Sequence, residues 1–140
     1  DRLACPRGTV LVPYSTTRAV ADADAGRLPA FDIAHDGSLT MRRFWADLDD
    51  AAPDVMCLDD EGAIWYAYVP PRQCVRVREG GQLLQTVTLD RGCFACTLGG
   101  TDRRTLFMLT ARLLETAGQG ADRTGQVIAI DAPAAGAGHP

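Results

Sequence analysis

The chain has no lysine, and its fourteen basic residues are all arginine. They are scattered, with neighbouring pairs only at Arg42-Arg43 and Arg103-Arg104, and the formal net charge is −4. A surface that grips phosphate backbones needs a dense basic stripe, so nucleic acid is not an expected partner. Apolar runs are short. None approaches the ~18 residues of a spanning helix, so no membrane partner is expected. Histidine is scarce, with only His35 and His139. Neither has a serine or cysteine in a suitable strand–turn context, which argues against a histidine-assisted nucleophile. A histidine-rich zinc site is equally disfavoured. The five cysteines are Cys5, Cys57, Cys74, Cys93 and Cys96. An odd number in a chain of ordinary size argues against a disulfide framework and for a reducing, cytoplasmic compartment.

What the chain does have is a repeat of about 45 residues. The middle copy, residues 53–89, reads PDVMCLDDEGAIWYAYVPPRQCVRVREGGQLLQTVTL. It contains four short apolar or alternating runs, separated by an acidic glycine turn, a polar turn and a Gly-Gly turn. That pattern predicts four antiparallel strands, one propeller blade. Leu106-Phe107 recur 42 residues after Ile64-Trp65, and Ala19 precedes Trp65 by 46. Third strands recur at LPAFDI, CVRVR and QVIAI, and fourth strands follow Asp36-Gly37 and Gly80-Gly81. An all-β sandwich is the alternative, but a sandwich has no reason to repeat its turn chemistry in order.

The expected fold is therefore all-β, with blades at about 7–48, 53–90 and 92–132 and a small-residue tail at 133–140. Closed propellers need roughly four to eight blades, so three imply part of a ring. The chain enters a blade at its first strand, residues 9–12. It leaves the last blade after a third strand, at Ile130. The expectation is the C-terminal half of a propeller, with open blade faces that favour self-association.

Three features carry possible chemistry. Cys93-Phe94-Ala95-Cys96 is a CxxC, but it opens a strand and has no second copy. Residues three apart on a strand are expected on opposite faces, so packing outweighs a zinc or redox reading. Asp59-Asp60-Glu61-Gly62 resembles a calcium loop, but the spacing fits a hairpin turn better. Asp54 follows Pro53 and precedes the first strand of its blade. First strands line a propeller's channel, so this carboxylate is a candidate ligand for a hard divalent cation, with a solvated turn aspartate as the alternative.

Segments 26–48, 53–77, 80–89 and 92–109 (GRLPAFDIAHDGSLTMRRFWADL, PDVMCLDDEGAIWYAYVPPRQCVRV, GGQLLQTVTL, GCFACTLGGTDRRTLFML) together resemble the gluconolactonase family, which includes regucalcin. The resemblance implies a six-bladed propeller that hydrolyses a sugar lactone. It also implies one divalent metal, calcium or zinc, or else manganese or magnesium. Asp54 matches the family's metal-ligating aspartate, which doubles as base. Three positions depart from the family pattern. Val55 replaces a glycine, Arg7-Gly8 stands where an Asn-Gly would supply a second ligand, and Pro13-Tyr14 replaces a Pro-Asp. Asp22 keeps a family acid, while Arg27, Asp32 and Arg43 match turn or blade-surface positions. A decayed, non-catalytic propeller fragment that binds or assembles is the alternative to a lactonase.

Overall fold

The computed structural model describes residues 6–12, 17–22, 26–112 and 123–138. Among these residues there are eleven strands and no helix. Strands β1 (Pro6–Leu11), β2 (Thr17–Asp22), β3 (Arg27–Ile33) and β4 (Leu39–Asp47) form the first antiparallel sheet in chain order. Strands β5 (Met56–Leu58), β6 (Ile64–Tyr68), β7 (Gln73–Val77) and β8 (Leu83–Thr88) form the second in the same way. The third contains β9 (Gly92–Gly99), β10 (Thr105–Ala111) and β11 (Gln126–Asp131). The first strands β1, β5 and β9 lie side by side, so the sheets are successive blades of a partial propeller.

The middle sheet explains the unbroken apolar run Ile64–Tyr68. Alternate side chains of a strand point to opposite faces. Ile64 and Tyr66 enter a core shared with Val75 of the adjacent β7 and with Leu28 and Trp45 of the first sheet. Trp65 and Ala67 enter a second core with Leu106 and Met108 of the third sheet. Both faces are covered, so both must be apolar, and each fully buried large side chain contributes roughly 1.5–3 kcal/mol. Among the described residues, only one face of the third sheet is covered. Leu106 and Met108 are buried, while Leu109 and its cross-strand partner Val127 face outward, 47% and 68% exposed.

Two glycine turns pack closely on backbone, one within the first blade and one between the first and second. Gly26 has φ +58°, and a Cβ there would lie 2.0 Å from the Asp49 carbonyl oxygen. At Gly81, φ is +93° and a Cβ would lie 2.7 Å from the Asp47 oxygen. No L side chain fits either approach.

After β11 the tail turns back across the second and third sheets. The Asp60 N–H donates to the Ala135 carbonyl (2.8 Å) and the Ala137 N–H to Leu58 (3.0 Å). On the other side, the Gly136 N–H donates to Arg103 (2.8 Å). Ala132, Ala134 and Ala135 are buried. The small-residue composition of the tail thus has a steric cause, since a Cβ at Gly136 would approach that of Leu98 to 3.0 Å. Cys5, Pro13, Tyr14 and His139 lie outside the described residues, as does the side chain of Asp22.

Candidate functional site

Asp54 extends the β5 end of the second sheet. Its N–H donates to the Ala67 carbonyl (2.9 Å), and the Ala67 N–H donates to Val55 (3.0 Å). Pro53 beside it is fully buried. β1 of the first blade runs close by. A Cβ at Gly8 would lie 3.3 Å from Val55 Cα and 3.6 Å from the Asp54 carbonyl oxygen. This approach carries the preceding residue, Arg7, onto the carboxylate. Arg7 Nη1 is 3.4 Å from Asp54 Oδ2, with the side chains 52% and 14% exposed. The two positions paired by sequence reasoning are therefore adjacent in space.

Their chemistry does not fit a divalent cation. Arginine has no acceptor atom and a fixed positive charge, so it repels the ion that Asp54 would ligate. The chain contains no asparagine to supply the amide oxygen expected there. Among the described residues, no group of three or more histidines, cysteines, aspartates or glutamates is arranged to hold a metal. No metal-dependent step is assigned to these residues.

Val55 follows Asp54 where a glycine was expected, and it is not among the residues with positive φ. Arg27 pairs with Asp47 (3.6 Å) and lies over the Phe44 ring, and Arg43 pairs with Glu79. Both are blade-surface contacts.

The acidic turn is a structural ion-pair network. The Asp59 carboxylate is wholly buried and accepts hydrogen bonds from Arg76 Nε (2.7 Å), the Glu61 N–H (3.0 Å) and the Ala63 N–H (2.9 Å). Arg76 Nη2 donates to Glu61 (2.7 Å), which holds that carboxyl below its ordinary range.

The cysteines require a correction. Cys93 and Cys96 were expected on opposite faces of β9, yet both are buried in the second core with Cys57 and Cys74. The reason is a β-bulge. Leu109 pairs with Ala95 and Thr110 with Cys93, leaving Phe94 as an extra residue that resets the alternation. The Cys96 thiol donates to the Trp65 and Val55 carbonyls (3.5 and 3.6 Å). Hydrogen bonds from Cys93 and Cys96 pull the Cys74 thiol below its ordinary range. Cys96 is pushed well up by its contacts with Cys57 and Cys74 and by burial. Trp65 Nε1, in the same core, has no hydrogen-bond partner among the described residues.

The SMP-30/gluconolactonase/LRE-like family model matches residues 1–112, and the chain belongs to this family. It is 34% identical over 95 residues to regucalcin of Danio rerio and 33% identical over 97 to that of Oryctolagus cuniculus. These matches take in 64% and 65% of this chain and 32% of each relative, so the chain spans about a third of their length. Among solved structures, a luciferin-regenerating enzyme superposes with a TM-score of 0.76 at 19% identity, covering 98% of this chain and 47% of its own. A gluconolactonase of Xanthomonas campestris superposes at 0.66 with 26% identity, covering 79% and 36%. A calcium-binding protein, regucalcin from Agrobacterium tumefaciens, superposes at 0.69 with 20% identity, covering 79% and 39%.

Proposed function

We propose that this chain is the C-terminal half of a six-bladed propeller that hydrolyses a sugar lactone or a related cyclic ester. The blades would be 7–48, 53–90 and 92–132. Family membership together with the place of Asp54, at the start of a first strand and against the neighbouring blade, carries the reading. Asp54 would take a proton from the water that attacks the lactone carbonyl. The ring C–O bond then breaks, the leaving oxygen takes a proton, and the product is a hydroxy acid. Arg7 would hold the Asp54 carboxylate in place. A cytoplasmic setting accords with four free thiols in the described core.

A second reading is a non-catalytic segment that binds or assembles. Two observations favour it, the cation already on Asp54 and the outward-facing Leu109 and Val127 of the third sheet. Such a face fits another blade or a second copy of the chain.

Acid release from glucono-δ-lactone by the purified chain and its Asp54→Asn variant separates the readings. Calorimetric titration with Ca²⁺, Zn²⁺, Mn²⁺ and Mg²⁺ runs beside it. Hydrolysis above the spontaneous rate that disappears with Asp54→Asn supports the lactonase. Hydrolysis unaffected by that substitution refutes Asp54 as base. No hydrolysis, no heat of metal binding and a dimer on size-exclusion chromatography favour the assembly module.

A further inference from the structure

Arginines scattered along the sequence are gathered at one end of the fold. Arg72 ends the turn between β6 and β7, Arg91 precedes β9, and Arg112 follows β10. Strand register places them at the same end as Asp54. Asp54 bonds to Ala67 near the exit of β6, Tyr68 pairs with Gln73, and the Leu89 N–H donates to Arg72 (2.8 Å). Gly92, which opens β9, pairs with Ala111. A cavity of about 510 Å³ opens there between the second and third blades, lined in part by Val69, Pro70, Arg72, Asp90, Arg91 and Arg112.

Among the described residues that line this cavity, three guanidiniums stand against one carboxylate, in a chain whose net charge is −4. Arg91 and Asp90 neutralise each other in a two-point pair, Nε to Oδ1 at 2.7 Å and Nη2 to Oδ2 at 2.6 Å. Arg91 Nη1 donates to the Thr124 carbonyl (3.0 Å), which fixes the pair as a wall of the cavity. Arg72 and Arg112 have no carboxylate within ion-pair distance among the described residues. Arg72 Nη1 donates to the Asp90 carbonyl at 3.5 Å. Arg72 also has φ +61°, a conformation that glycine adopts without strain. A cleft with an excess of one sign concentrates counter-charge, and the guanidinium fork matches a carboxylate or phosphate in two-point geometry.

We propose that this cavity binds the oxyanion of a small sugar derivative, a carboxylate or a phosphate, between Arg72 and Arg112. The sugar rests on the lactonase reading, whereas the anion site stands on its own geometry. The experiment is calorimetric titration of the full chain with inorganic phosphate, gluconate, glucose 6-phosphate and uncharged glucose. Gluconate and glucose 6-phosphate separate the carboxylate source from the phosphate source.

Saturable binding of at least one anion is expected, with none of glucose. Affinity should fall about tenfold or more in Arg72→Gln and in Arg112→Gln, each of which removes a charge-assisted contact. Arg43→Gln, at a surface pair elsewhere, serves as control and should bind like wild type. Far-UV circular dichroism confirms that each variant is folded. Absence of saturable anion binding overturns the proposal, as does equal binding of glucose or undiminished binding by both cavity variants. Anion binding that survives Asp54→Asn in a chain without lactone hydrolysis sinks the lactonase alone.

Discussion

Replacing Arg76 with methionine tests whether the acidic turn is a structural device. Methionine keeps most of the apolar stem, so the loss falls on the ion pair. The Asp59 carboxylate, wholly buried, would keep only the Glu61 and Ala63 N–H groups as donors. Removing one partner of a buried pair costs about 3–5 kcal/mol, because the other charge stays desolvated. With an m-value of ~2 kcal/mol/M, the urea midpoint falls by roughly 1.5–2.5 M. Fluorescence of the buried Trp45 and Trp65 reports the transition. Glu61→Gln is the internal comparison. Glu61 is 62% exposed, so solvent takes over its role and the midpoint should barely move. Should Arg76→Met fail to fold, the double variant Asp59→Asn/Arg76→Met should recover part of the loss by removing the stranded charge. Calcium should leave the wild-type midpoint unchanged. The reasoning fails if Arg76→Met loses less than about 1 kcal/mol, or if Glu61→Gln loses as much as Arg76→Met.

Tyr66 gives a pH signature, since burial, with smaller repulsion from Tyr68 and Cys74, pushes its hydroxyl up from 10 to about 12. Its folded pKa lies above the unfolded value, so its contribution is complete below about pH 10 and is lost as pH rises towards about 12. Roughly 2–3 kcal/mol should disappear across that window, and urea midpoints of Tyr66→Phe should fall less steeply than wild type. Cys57, Cys74, Cys93 and Cys96 should resist alkylation in the native chain and react in urea, as mapped by peptide mass spectrometry. Native labelling of Cys74 and Cys93 ahead of unfolding would show that the interface between the second and third blades opens locally.

The blades were legible because their signals are local. Turn glycines and alternation along a single strand need no knowledge of the partner, and the strands after Asp36-Gly37 and Gly80-Gly81 form as expected. The nearness of Arg7 to Asp54 was implied by the family resemblance, which matches both to ligand positions, but their ion pair was not. The four-thiol core was not. It depends on one extra residue at Phe94, and a bulge inverts every facing assignment on one side of it. The arginine cavity was invisible for a different reason. Residues 72, 91 and 112 belong to three separate connections, and only the return of each strand to the same end brings them together. Asp59 lay in between. Its turn was readable, but its partner Arg76 comes from the next hairpin strand, where an arginine in an alternating run looks solvent-facing.

The returning tail gives the two later blades a shared clasp at the end opposite Asp54. Its backbone is bonded to one blade through Leu58 and Asp60 and to the other through Arg103 and Arg104, so loosening it would let these blades hinge about their common seam. Any handle for immobilising or labelling the chain is therefore better grafted onto the exposed Asp36-Gly37 turn than onto the C-terminus, where tension would pull directly on that clasp.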